Sequence, residues 1–503
     1  MTAKLDPSVR DLLLPDARNW LDRPPLSPFI DGAFRAARSE HRLPVVDPGS
    51  GVTMTEYVTA SSEDVADAVR AARAAFDDGR WSELDPEARE ARLRYLAGLL
   101  DRDSEAVAQL ESLDTGKPLA EARLDIAEAV AVLRYYAGWA TKIEGAVIPA
   151  PRRLLATGTR EALGVCAAIT PWNYPLPILM YKLAPALAFG NTFVAKPSEQ
   201  APLSTVYFAQ LCAEAGIPDG VVNVLPGGGA TGATLTSAPG IDKIAFTGST
   251  RTGQAVMRAA ADTLTKVTLE LGGKSPQLVF ADADWDAAIK GVMDGIWTNA
   301  GQICVAGSRL IIDRGIHDEF VTELVRRTRQ LTIGHGLAPG THMGPLVSAA
   351  QRGRVNRMVA HAVAEGAEAH DGPTPPEGNG FFTAPAVLTN VAPGTQIERD
   401  EVFGPVLTVV PFDTEDDAVR LANNSCYGLA AGVWSTANAT VHRVARRLRA
   451  GIVWANSYGI FHPSLPFGGV KSSGFGRELG FAGVEHYTEL KTTVIDLGPG
   501  PAN

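Results

Sequence analysis

The sequence predicts an α/β protein built on parallel sheets. Two observations carry the prediction. From residue 163 onward, short apolar runs at 164–169, 192–195, 221–225 and 243–246 alternate with helical stretches at 202–215 and 252–261. That is the rhythm of strand–helix–strand units. After Gly272 a second alternating set begins, with strands near 277–280, 309–312 and 406–411 between helices near 285–297, 317–331 and 415–423. A domain boundary is placed at Gly272-Gly273. A chain of 503 residues is long enough for two or three domains of ordinary size.

Residues 1–28 hold Pro7, Pro15, Pro24, Pro25 and Pro28 and predict an extended, partly loose arm. Ser62 caps a helix whose apolar positions Val65, Val69, Ala72 and Phe76 follow the helical period. Asp85-Pro86 opens a second, with Leu93, Leu96 and Leu100 inside. A third runs over 105–113 and is broken by Gly116-Lys117-Pro118; a long fourth covers 119–143. Residues 145–160 lose the period and predict a projecting hairpin. Beyond the two alternating sets lie a helix at 439–448, a strand at 451–454 and a surface loop at 373–380. In the tail, Thr492, Val494 and Asp496 alternate against Thr493, Ile495 and Leu497. Such a strand either edges a sheet of its own subunit or pairs with another.

Composition excludes several classes. Apolar residues make up 45% and charged ones 20%, so the chain has the material for a packed core. A net charge of −10 disfavours a nucleic-acid partner. No run of 18 apolar residues occurs, and the first twenty lack the basic-then-apolar order of a leader, so neither a membrane span nor secretion is expected. Cysteines at 166, 212, 304 and 426 form no C-x-x-C pair and no metal spacing, which fits a reducing, cytoplasmic setting without a metal.

Chemistry concentrates in a few segments. Asn299-Ala300-Gly301-Gln302-Ile303-Cys304 puts one cysteine between small-residue stretches, and Glu270-Leu271-Gly272-Gly273-Lys274-Ser275-Pro276 precedes it. A thiol is a ready nucleophile, and a glutamate in a dry pocket can serve as its base. A free cysteine is more often a small buried hydrophobe. Thr170-Pro171-Trp172-Asn173-Tyr174-Pro175 follows a buried strand, so the Asn173 amide is either an oxyanion donor or part of a proline-braced turn. Lys196 and Glu199 end another strand as candidate ribose contacts or as two solvated charges. Gly248, Ser249 and Gly253 sit between a strand and a helix, where backbone N–H groups attract phosphate. The segment is neither G-x-G-x-x-G nor a P-loop. Glu401 and Phe403 open a further strand and suit a sugar hydroxyl and a flat ring.

Taken together, and in this order along about 300 residues, these segments resemble the aldehyde dehydrogenase superfamily of NAD(P)-dependent oxidoreductases, with residues 466–471 as a further match. The resemblance implies a Rossmann-like cofactor domain (29–143 and 161–271), an α/β catalytic domain (272–478) and a β oligomerisation element (144–160 and 479–503), in a homodimer or homotetramer. It implies that Cys304 attacks an aldehyde, that Asn173 and the Cys304 N–H hold the oxyanion, and that Glu270 activates the water that hydrolyses a thioester. Glu478 matches a second glutamate that relays protons in some members. Trp172, Lys196, Glu199, Gly232, Gly248, Ser249, Gly253, Leu271, Glu401 and Phe403 are its implied cofactor contacts. The segment Gly227–Gly232 is about one residue shorter than the usual pattern. Glu199 favours NAD over NADP.

Tyr174, Tyr181, Trp297, Ile303, Tyr458, Phe461 and Phe467 are the implied substrate pocket. Such a lining suits apolar or aromatic aldehydes, and also cationic aminoaldehydes or betaine aldehyde. Betaine-aldehyde enzymes tend to have tryptophan where Tyr181 and Phe461 stand. Glu121, Asp125 and Glu128 share one helical face, as substrate-entrance carboxylates or as a solvated acidic face. The alternatives are a broad aliphatic and aromatic aldehyde dehydrogenase and a non-catalytic protein retaining the fold.

Overall fold

The computed structural model describes residue 5, residues 7–23 and residues 26–498. Four parallel strands form the heart of an eight-stranded sheet: Lys266–Glu270, Lys243–Thr247, Val165–Ile169 and Thr192–Lys196 lie side by side in that order. The last three are short, mostly apolar runs buried on both faces, as a sheet covered by helices requires, and Lys266–Glu270 is buried from Thr268 onward. Register aligns their carboxyl ends: Thr247 pairs with Glu270, Phe246 with Ile169, and Ile169 with Lys196. Glu270, Thr247, Thr170 and Lys196 therefore emerge along one rim.

A second sheet has seven strands. Ala386–Thr389, Val406–Phe412, Arg309–Asp313, Pro276–Val279, Ala430–Trp434 and Ile452–Ala455 run parallel in that order, and Glu368–Asp371 is the antiparallel edge. The segments holding Gly273, Cys304 and Glu401 each enter this sheet just before a strand begins. The carboxyl rim of one sheet thus faces the amino rim of the other, and the chemistry-bearing residues sit between them.

The third sheet is small: Thr488–Asp496 pairs antiparallel with Leu154–Ala162, which pairs with Ala146–Ile148. The hairpin expected at 145–160 and the tail strand are thus one structure, and the tail pairs within its own chain. No helix among the described residues is long and apolar enough to cross a membrane.

Three expectations need correction. Ser61, not Ser62, caps the helix Ser62–Asp77: its Oγ accepts from Asp64 N at 3.1 Å, and Ser62 is the first helical residue. The N-terminal arm is not loose where it is described. Pro15–Leu21 is a helix with proline in its first turn, and Ala17, Trp20 and Leu21 are buried with Leu13. The Leu14 N–H donates to Gln109 Oε1 at 2.8 Å. Spacing of apolar residues three and four apart outweighed the prolines. Pro24 and Pro25 lie outside the described residues. The helix Pro175–Ala188 was also not foreseen after Pro175. All fourteen of its residues are buried, so it carries no amphipathic period to read.

Candidate active site

Cys304 follows a strained turn. The helix Trp285–Trp297 ends, and Asn299, Ala300 and Gly301 then take φ of 48°, 50° and 70°. Positive φ is costly for non-glycine residues and persists only where surrounding bonds hold it. Those bonds are present. Gln302 Nε2 donates to Asn299 O at 3.0 Å, while Gln302 Oε1 accepts from Val347 N at 2.9 Å. At Gly301 a Cβ would come within 2.2 Å of the Gly404 carbonyl oxygen, so only glycine fits.

Asn173 lies on the loop between the strand Val165–Ile169 and the helix Pro175–Ala188, and is buried. Its Nδ2 donates to Gln302 O at 2.9 Å, two residues before the sulfur. Its own carbonyl accepts from Lys117 Nζ at 2.8 Å and from Asn299 Nδ2 at 3.1 Å. The amide is therefore fixed beside the cysteine loop.

Glu270 ends its strand with both carboxylate oxygens buried and without a hydrogen-bond partner. Burial drives its pKa well above the ordinary glutamate value, and the nearby Glu478 carboxylate pushes it further, against Lys182 and Arg477. Glu478 is itself buried and paired with Lys182, whose Nζ also donates to Thr247 Oγ1 at 2.7 Å. Cys304 is pushed up to about 12, first by burial and then by the Glu401 and Glu270 carboxylates.

Two cavities meet at this centre. One, of about 360 Å³, is lined by Tyr174, Tyr181, Ile303, Tyr458, Phe461 and Phe467. Trp297 is buried in one apolar cluster with Ile303 and Ala306 and is absent from that lining. Asp125, Glu128 and Asp294 add carboxylates to the wall. Asp125 is paired with buried Lys117, and Asp294 with Lys290. Glu128 accepts from the Tyr181 hydroxyl and is pushed up to about 7 by burial. Glu121 stands apart: it is not in the lining but bonds to the Asn299 backbone.

The second cavity, of about 180 Å³, is lined by Trp172, Gly248, Ser249, Leu271, Glu401 and Phe403, among others. Trp172 and Phe403 meet edge to face at 5.3 Å. Glu401 accepts from Gly273 N at 2.9 Å and is pushed up to about 7 by burial. Ser249 caps the helix Thr250–Ala261. Gly253 faces Leu271, where a Cβ would approach to 2.6 Å, so this glycine serves helix packing. Lys196 and Glu199 lie outside this lining and form an ion pair at 3.3 Å; Gly232 lies against Ile169 and the Lys196 side chain. Cys304, Glu270 and Thr247 line both cavities. No cluster of metal-ligating side chains exists among the described residues.

Sequence reasoning assigned no role to Lys182, Thr247, Lys117 or Asn299, nor to Gln351 and Arg354, which line the second cavity and donate to the Phe403 and Glu401 carbonyls at 2.7 and 2.6 Å. Lys182 had one usable signal, a lone cation in an otherwise apolar run, Leu176 to Leu187. A cation there must find a partner or lose its charge.

The profile of the aldehyde dehydrogenase family matches residues 34–493. The betaine aldehyde dehydrogenase of Bacillus subtilis is 43% identical over 485 residues, covering 94% of this chain and 98% of that one. The NAD+ complex of an aldehyde dehydrogenase from Bacillus cereus superposes with a TM-score of 0.94 at 42% identity, over 99% of this chain and 100% of that one. The betaine aldehyde dehydrogenase of Staphylococcus aureus in complex with NAD+ gives 0.94 at 37% identity, over 97% and 98%. With a cysteine, an asparagine amide and a buried glutamate gathered where two cavities meet and a family profile spanning nearly the whole sequence, this chain belongs to the aldehyde dehydrogenase family.

Proposed function

We propose that the protein oxidises an aldehyde to a carboxylic acid with NAD, through a covalent adduct on Cys304. The observation that carries this reading is the shared wall: Cys304 and Glu270 line both an aromatic cavity and a cavity rimmed by the Gly248–Ser249 helix start.

The second cavity suits a nicotinamide dinucleotide. A helix start with a glycine at its threshold offers N–H groups to a pyrophosphate. Glu401 and Phe403 offer a carboxylate and a ring beside Trp172. Lys196 and Glu199 offer a cation and a carboxylate to an adenosine ribose. The Glu199 side chain is 46% exposed, and its charge would repel an added 2′-phosphate, favouring NAD over NADP. When bound, the nicotinamide supplies the hydride acceptor that turns a thiohemiacetal into a thioester.

The chain's own groups supply the rest. The Cys304 thiol needs a nearby proton acceptor, and Glu270 has two free oxygens. The sulfur bonds to the aldehyde carbon, and the oxygen that becomes negative is held by Asn173 Nδ2 and the Cys304 N–H. Once Glu270 has released the thiol proton it takes a second one from water, whose oxygen attacks the thioester carbon and expels the sulfur as thiolate. Glu478, ion-paired with Lys182 and close enough to raise the Glu270 pKa, is the group to which those protons would pass.

Aromatic walls suit an apolar or aromatic aldehyde body. Glu128 gives the cavity a carboxylate for an amino or trimethylammonium end, and this supports aminoaldehyde or betaine-type substrates. The test is formation of NADH from NAD, or of NADPH from NADP, with a panel of aliphatic, aromatic and cationic aldehydes. Turnover should be lost in Cys304→Ala. A kcat/KM favouring aliphatic over cationic aldehydes would end the cationic reading, leaving the broad-specificity one. Wild-type protein inert toward every aldehyde would end the catalytic one.

A further inference from the structure

Three carboxylates that share one helical face have three different fates. Asp125 is neutralised by Lys117, Glu128 faces the aromatic cavity, and Glu121 turns away to the loop before the nucleophile. Glu121 lies in the first turn of the helix Leu119–Ala137 but does not cap it. Its Oε2 instead accepts the Asn299 backbone N–H at 2.9 Å, from a residue 178 positions away.

Asn299 is the first of the three left-handed residues leading to Cys304. Its Nδ2 donates to the carbonyls of Asn173 and Gln302 at 3.1 and 3.4 Å, and Asn173 Nδ2 donates to the same Gln302 carbonyl. A bond to the Asn299 N–H therefore holds the turn carrying the sulfur and its link to the amide opposite. Positive φ at Asn299 and Ala300 has no glycine to relieve it, so outside bonds must hold the turn.

We propose that Glu121 is a positioning residue for the reacting centre: by accepting the Asn299 N–H it holds the turn that aligns Cys304 with the Asn173 amide. Burial pushes Glu121 up to about 8, so near neutral pH it acts mainly as a neutral acceptor. Glutamine presents the same acceptor at the same length. Methionine fills the same space without it.

The inference rests on the dehydrogenase reading for its kinetic arm only. Glu121→Met and Glu121→Ala should lower kcat roughly 10- to 100-fold, the scale of a small misplacement of reacting groups, with KM for NAD and the thermal midpoint little changed. Glu121→Gln should stay within about threefold of wild type, as its acceptor is retained. Alkylation of Cys304 by iodoacetamide, which needs no dehydrogenase activity, should quicken several-fold in the Met and Ala variants and not in Gln. If Ala unfolds, Met decides. Wild-type kcat in Glu121→Met, or a Gln variant as impaired as Met, would overturn the proposal. If the wild type forms no NADH, the dehydrogenase reading fails and the alkylation arm still decides: equal rates in wild type and Met would overturn it.

Discussion

Glu270 is the residue on which chemistry and stability pull in opposite directions. A buried carboxylate without a hydrogen bond is costly once ionised, because burial penalises the charge. Its folded pKa lies above its unfolded value of 4.5, so its contribution to stability falls as pH rises from there through the folded pKa. Glu270→Gln should therefore unfold at a higher temperature than wild type in alkaline buffer. The gain should vanish near pH 4, where both side chains are neutral. The same variant should slow thioester hydrolysis roughly 10²- to 10⁴-fold, the usual value of a general base. Equal melting curves at pH 9 would sink the stability claim, and full steady-state turnover would sink the catalytic one. Glu478 raises the Glu270 pKa and its partner Lys182 lowers it. Glu478→Gln removes a negative neighbour and leaves Lys182 without its carboxylate, and both changes favour ionised Glu270. The acid limb of the kcat profile should move to lower pH; an upward shift would contradict the assignment.

At the scale of elements, the turn before Cys304 and the rims of two sheets carry the argument. Gly301 has φ of 70° and no room for a Cβ beside the Gly404 carbonyl. Gly301→Ala should cost roughly 1–3 kcal/mol, the range for a strained backbone residue, and depress kcat through displacement of the sulfur. Denaturant unfolding together with steady-state rates checks this; an alanine variant matching wild type in both would mean the turn relaxes freely. Strands such as 165–169 and 243–247 were legible because a sheet covered on both sides selects short apolar runs between turn residues. The strand Ala430–Trp434 was not, since Ala-Ala-Gly-Val-Trp carries no period and becomes a strand only by pairing with its two neighbours.

For the whole molecule, the three-stranded sheet sets the prediction. The strand Thr488–Asp496 is exposed along nearly all its length, with Leu490 62% and Val494 57% exposed. Val147, Ile148, Leu155 and Ile495 expose further apolar surface on the same sheet. A thin sheet open on both faces is marginal alone, and apolar surface of this kind marks an interface. A homodimer or homotetramer built over this sheet is our proposal. Leu490→Lys with Val494→Lys should shift sedimentation toward monomer and make the thermal midpoint depend on concentration. Unchanged sedimentation would place the interface elsewhere.

The sequence by itself determined the parallel α/β architecture and the nucleophile, amide and base as candidates. Each rests on a local pattern: an apolar run, a turn, then a reactive side chain at the rim where such sheets bind ligands. Tertiary structure alone decided which charges serve which partner. Lys182 and Glu478 are 296 residues apart, and Glu121 and Asn299 are 178 apart. No local period announces such pairs, because a buried charge takes its role from whatever the packing of distant segments sets against it.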